Sequence, residues 1–212
     1  DITEISQEIT IKESDPVPIK ILQHSLDIVE NHRQITSGKL VINASIHLAI
    51  LYLGETSDGD QKLCSMASKI DFTQFIVMDD KTDPDLMQIS FNGGSLDLTV
   101  ESKEKFKLSG NVTVFVSSYC NKSIGTVSDA YHKKRTLHFN TLSNKISCVK
   151  DTVKGEISSR EVIDLPDLDR RAASLLCGNC RVSSITGTVE KDRILLEGTV
   201  SAKLLALDEE NV

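Results

Sequence analysis

The stretch that decides the fold is residues 40–52, which read LVINASIHLAILY. Every second residue from Leu40 to Tyr52 is apolar, whereas the positions between them include Asn43 and His47. Side chains of a β-strand point alternately to the two faces of a sheet. The alternation therefore predicts a long strand with one face in a core. An amphipathic helix would need apolar residues three and four apart.

Shorter stretches with the same alternation lie on both sides of this strand. The turn Thr36-Ser37-Gly38 separates it from an earlier strand around Leu26 and Ile28. Further strand candidates are Ile9 with Ile11, Leu96 to Val100, Val112 to Val116, and Leu137 with Phe139. Turn-forming residues occupy 57–60, 92–94 and 109–111. Short strands separated by turns are typical of sandwiches and barrels, so we predict an all-β fold of mainly antiparallel β-sandwich-like modules.

One segment carries helix signals instead. Pro166 stands near its start, Ala172 and Ala173 are strong helix formers, and Gly178 follows it. Proline at the first turn and glycine just beyond the last turn are characteristic of helix ends. We predict one short helix near residues 166–177.

Composition limits the classes of function. The chain has 212 residues, 39% of them hydrophobic, which is enough for a packed core. Its net charge is −7 and no basic stripe with interleaved aromatics occurs, which argues against a nucleic-acid partner. No apolar run reaches 18 residues and no signal-peptide pattern is visible, so we expect a cytoplasmic protein without membrane insertion.

The cysteines and histidines do not form a pattern typical of a metal or catalytic site. The odd number and irregular spacing of the five cysteines favour reduced thiols. Cys177 and Cys180 form a CxxC, but a redox pair needs a helix N-terminus and a zinc site needs a second pair. The five histidines are scattered, and no nucleophile motif is present. We expect no catalytic, cofactor-binding or metal-binding residue.

Two parts of the chain also resemble each other. A shift of 154 residues places the long strand on Ile194, Leu196, Gly198, Val200, Ala202, Leu204 and Ala206. The same shift places Leu26 and Ile28 on Cys180 and Val182. Elements that recur in the same order indicate a duplicated module. We predict a first module at residues 1–150 and the N-terminal half of a second at 151–212. The second would be completed either by residues 86–150 or by sequence downstream.

Several short motifs resemble SPOCS domains. The segment EVIDLP at residues 161–166 is similar to the opening motif of the family, and RILLEGTV at 193–200 resembles its long strand. Residues 72–75, FTQF, and the turn Asp129-Ala130-Tyr131 are also similar to family segments. The first copy departs from the pattern, since Asn43-Ala44 stands where the family has Glu-Gly.

The resemblance implies a role in bacterial spore-coat morphogenesis. SipL-like members of the family carry SPOCS modules followed by a LysM domain and help to tether a self-assembling coat ATPase to the forespore. A non-enzymatic interaction module in the mother-cell cytoplasm, at the forespore and spore-coat surface, would follow. Its partners would be that basement-layer ATPase and other copies of the chain, through β edges.

Five residues are candidates for partner contact: Asp164, Leu165, Pro166, Asp129 and Tyr131. The other interpretation is structural, because Asp before Pro caps turns and Tyr packs against strand ends. An alternative function is a carbohydrate- or cell-envelope-binding β-sandwich. That alternative is weaker because sugar binding normally uses exposed aromatic platforms and the chain has no Trp.

Overall fold

The computed structural model describes residues 1–78, 87–119 and 172–208, together with isolated positions between 123 and 162. In these residues the chain forms strands and no helix. The strands are β1 (Ile2–Thr10), β2 (Val17–Thr36), β3 (Lys39–Glu55), β4 (Gln61–Val77), β5 (Met87–Asn92), β6 (Asp97–Ser102), β7 (Lys105–Ser118), β8 (Ala172–Val189) and β9 (Ile194–Asp208). Every pairing between them is antiparallel, so the predicted all-β class is confirmed.

Strands β1 to β7 make a two-layer sandwich. One sheet has the order β2-β3-β4, and the other has β1-β7-β5 with β6 also paired to β7. A single core cluster joins apolar side chains of both sheets. Strands β8 and β9 form a separate two-stranded sheet.

The long strand lies at the centre of the core. From Leu40 to Tyr52, every second side chain of β3 is at most 2% exposed. The ring of Tyr52 meets that of Phe106 on β7 edge to face, with 5.3 Å between the ring centroids. The predicted strand with one buried face is confirmed, and its alternation sets which face the second sheet covers.

The turn predicted at residues 109–111 is wrong, because these residues continue through β7. Gly110 has φ 134° and lies between the part of β7 that pairs with β6 and the part that pairs with β5. The β5–β6 connection passes over this point. A Cβ added to Gly110 would lie 2.1 Å from the carbonyl oxygen of Ser95. The glycine therefore permits a close backbone crossing within a strand, which propensity alone does not distinguish from a turn.

Polar side chains join the two sheets outside the core. On β4, the Gln74 amide donates to a carboxylate oxygen of Asp1 at 2.6 Å and accepts from the Thr3 hydroxyl of β1. On β2, the Arg33 guanidinium donates to the carbonyl oxygen of Met87 at 2.8 Å. The FTQF motif thus has a structural role, since Gln74 fastens β4 to β1.

The short helix predicted near residues 166–177 is wrong for 172–177, which belong to β8; residues 166–171 lie outside the described residues. Pairing with β9 outweighs the helix propensity of Ala172 and Ala173. Gly178 does not follow a helix here. A Cβ on it would lie 2.9 Å from Leu204, so the glycine allows close cross-strand contact. The strand predicted at Leu137 and Phe139 falls on residues that are not described.

Candidate interaction surface

The β8–β9 hairpin has the same register as the β2–β3 hairpin. An offset of 154 residues turns the pair Leu26–Leu48 into Cys180–Ala202, and turns Ile35–Leu40 into Val189–Ile194. Every pair formed between β8 and β9 has a counterpart between β2 and β3 at this offset. The match extends over the whole hairpin, from its open end to the turn.

The irregularities of the two hairpins also correspond. The β2–β3 register shifts between Pro18 and Lys20, between Ile21 and Gln23, and between Glu30 and His32. The β8–β9 register shifts between Ala172 and Ser174, between Leu175 and Cys177, and between Ser183 and Thr186. Bulges bend and twist a ribbon, and simple alternation does not dictate where they occur. Three shifts at corresponding places therefore give the two hairpins the same local shape.

Burial distinguishes the two hairpins. Ile46 of β3 is fully buried, whereas its counterpart Val200 of β9 is 67% exposed. The neighbouring apolar side chains of the hairpin are exposed as well: Val182, Ile185, Ile194, Leu195, Leu196, Leu204 and Leu205. Large exposed apolar patches are candidates for interaction surfaces. We call this exposed hairpin, residues 172–208, the interaction hairpin.

The interaction hairpin contacts the sandwich over only part of one side. Strand β8 approaches β3 and β4, and Cys177 on β8 is half-buried. Within the described chain, β9 pairs with β8 alone, whereas β3 carries β2 on one edge and β4 on the other. Among the residues that the structure describes, the outer edge of β9 is thus a row of backbone donors and acceptors without a strand partner.

A second feature is a row of hydrogen-bonded polar side chains across the outer face of β2, β3 and β4, which we call the polar ladder. Ser45 is fully buried; its hydroxyl donates to Asp71 at 2.5 Å and accepts from the Asn31 amide at 2.5 Å. The hydrogen bond from Ser45, followed by that from Lys69, lowers the pKa of the Asp71 carboxyl. At the 154-residue offset, Asn31 and Ser45 correspond to Ile185 and Thr199. The interaction hairpin is therefore more apolar at this point.

The structure describes only two of the five predicted contact residues. Asp129 and Tyr131 are exposed, Tyr131 at 84%. Asp164, Leu165 and Pro166 lie outside the described residues, so their role stays a prediction. The sequence predicted residues 151–212 as the half of a second module, and a half-module exposes unpaired strand edges and an uncovered apolar face. The 154-residue repeat was the signal for its strands, and the sequence left open whether residues 86–150 or downstream sequence would complete the second copy.

Cys177 and Cys180 lie on β8 at a spacing that places them on opposite faces, because side chains alternate along a strand. Both are free thiols. In the described residues, no three His, Cys, Asp or Glu side chains lie close enough to hold a metal ion. A search of the same residues finds no helix capable of crossing a membrane.

Comparison with known proteins gives a family for the sandwich. The family model of the SipL SPOCS domain matches residues 19–103, which run from β2 to the end of β6. No curated protein and no solved structure shows a significant match to the chain. The matched segment includes β3, β4 and the FTQF motif, on which the resemblance partly rests. Residues 19–103 are therefore similar to the SipL SPOCS domain, which supports a SPOCS-domain assignment for this part of the chain.

Proposed function

We propose that this chain is a non-enzymatic structural module that mediates protein–protein contacts in spore-coat assembly. The observation that carries the proposal is the interaction hairpin, whose apolar side chains are exposed where their counterparts on β3 are buried. The SPOCS-domain match gives the sporulation context. Partners would include the basement-layer coat ATPase, and the site of action would be the forespore and spore-coat surface in the mother-cell cytoplasm.

The mechanism is addition of a partner strand to β9. Backbone hydrogen bonds along an exposed strand edge supply affinity, and alternate side chains supply specificity. In the sandwich, β4 pairs with β3 along its full length, with Ile46 opposite Ile70. The corresponding edge of β9 offers the same geometry to a strand of another protein. No cofactor is needed for this activity.

The duplication fits this role. The common register and bulges of β2–β3 and β8–β9 support descent of both hairpins from one module. In the first copy, β4 and the second sheet cover the hairpin. The second hairpin keeps the same shape, so a partner that supplies a similar strand or sheet would complete it.

Size-exclusion chromatography with light scattering tests the proposal, on the 212-residue chain alone and mixed with the coat ATPase. We expect a complex with the ATPase. The matched pair of variants is Leu196→Asp on the interaction hairpin and Ile2→Asp on β1, both at exposed apolar positions. Leu196→Asp should abolish the complex and Ile2→Asp should preserve it. A chain that ignores the coat ATPase, or that binds peptidoglycan instead, would overturn the proposal.

A further inference from the structure

We propose that two copies of this chain pair through the outer edges of their β9 strands, antiparallel, about a two-fold axis at Val200. The inference rests on the proposed function, because it takes the interaction hairpin as the contact element. It adds a second copy of the chain as an occupant of the same β9 edge, so that self-pairing and binding of an ATPase strand exclude each other there, and it adds a defined register. The product is a four-stranded sheet with the two β9 strands at its centre.

Leucines and small residues of β9 recur at equal distances in both directions from Val200. Around this residue the chain reads LLEGTVSAKLL, from Leu195 to Leu205. In antiparallel pairing about a two-fold axis, positions equally distant from the axis face each other. Leucines then face leucines on both faces of the sheet, and small residues face small residues next to the axis. A strand with this symmetry is complementary to itself.

Charge fixes the register. Glu197 and Lys203 are the charged residues of 194–206, and both are exposed. Within the hairpin they face the uncharged Thr186 and Asn179. With Val200 on the axis, each Glu197 faces the partner's Lys203, which gives two ion pairs per dimer. Shifts of two residues in either direction place Glu197 opposite the partner's Ser201 or the partner's Leu205 and lose both pairs.

In the first hairpin, the corresponding edge of β3 carries a strand. Ile46 of β3 faces Ile70 of β4, and Val200 is the counterpart of Ile46. A second β9 would therefore occupy the place that β4 has in the sandwich, with β-branched side chains opposite each other at the same point. Two-stranded ribbons are marginally stable in water, and added strands stabilise them. The pairing also satisfies the backbone groups of the outer edge.

Light scattering on the full chain over a wide range of protein concentration tests the pairing, with charge-reversal variants as probes. The wild type should give twice the chain mass. Glu197→Lys and Lys203→Glu each place like charges opposite each other twice, and each should raise the dimer dissociation constant about tenfold or more. The double variant Glu197→Lys/Lys203→Glu keeps the composition, restores the ion pairs and should recover the wild-type dissociation constant.

A mixture of the two single variants gives the sharpest result. In a heterodimer, each Lys of one copy faces a Glu of the other, so the mixture should dimerise although each variant alone is weakened. Circular dichroism confirms that the variants keep their β structure. A wild-type chain that stays monomeric, or a dimer that both reversals leave unchanged, would overturn the pairing. A monomer that still binds the coat ATPase would reject the pairing and leave the proposed function standing.

Discussion

Two residues of the sandwich, Gly110 and Tyr52, have structural roles that depend on their residue types. Gly110 lets the β5–β6 connection cross β7 at a separation that no side chain would permit. Tyr52 places a ring in the core against Phe106, and its hydroxyl donates to the carbonyl oxygen of Pro16 at 3.4 Å. Each has a consequence that can be measured.

Gly110→Ala should lower the free energy of unfolding by more than about 3 kcal/mol. The positive φ adds backbone strain, and the new methyl would collide with the Ser95 carbonyl, which is main chain and cannot rotate away. Gly59→Ala is the control, because Gly59 has φ 87° with nothing within 4 Å of an added Cβ. It should cost about 1 kcal/mol. Urea denaturation compares them, and equal costs would reject the crossing.

Tyr52→Phe should change how stability depends on alkaline pH. Burial raises the pKa of Tyr52 to about 12, above its ordinary value of about 10. The native state therefore retains this proton to a higher pH than the unfolded chain does. The resulting stability is complete below about pH 10 and is lost as pH rises to about 12. The Phe variant should lose less stability over that interval, measured by urea midpoints. An unchanged slope would contradict the assignment.

Among the elements, β3 and β9 share one pattern of alternating residues but differ in how far their apolar side chains are buried. Both strands alternate apolar and polar residues, and both pair with the preceding strand in the same register. Ile42 of β3 is fully buried, whereas Leu196, its counterpart on β9, is 58% exposed. Alternation specifies that a strand has an apolar face. It does not specify what covers that face.

The variants Ile42→Ala and Leu196→Ala test this difference in burial, because Ile42 and Leu196 occupy corresponding positions of the two hairpins. Ile42→Ala leaves a cavity between the two sheets and should destabilise the sandwich by about 2–5 kcal/mol. Leu196→Ala removes an exposed side chain and should change the unfolding of the sandwich by less than about 0.5 kcal/mol. Urea denaturation of dilute protein gives both values. Similar losses for the two variants would show that β9 is covered as β3 is.

The sequence predicted some elements better than others, for physical reasons. Strand β3 was evident because its alternation is unbroken from Leu40 to Tyr52. Strand β4 was not predicted, because Ser68 and Gln74 interrupt its apolar face, where Gln74 joins β4 to β1. Strand β8 was partly taken for a helix, since the propensity of its alanines is local and its pairing with β9 is not. The candidate surface depends on burial, which sequence alternation does not contain.

On the scale of the whole molecule, the chain combines a closed sandwich with an open hairpin of the same design. The SPOCS-family match covers β2 to β6, but the sandwich core also requires β1 and β7. Ile5 and Ile9 of β1 and Phe106 of β7 are members of that core. Among the described residues, the β2–β3 hairpin is covered and the β8–β9 hairpin is exposed, and we propose that the exposed hairpin receives a partner.

Hydrogen exchange followed by mass spectrometry tests this account most directly, by comparing residues 40–54 with residues 194–207. In the dilute chain, we predict slow exchange for 40–54, whose strand is paired on both edges, and much faster exchange for 194–207. Addition of the coat ATPase should slow exchange in 194–207 and leave 40–54 unchanged. Slow exchange of 194–207 in the dilute monomer, or no change when the ATPase binds, would contradict the account.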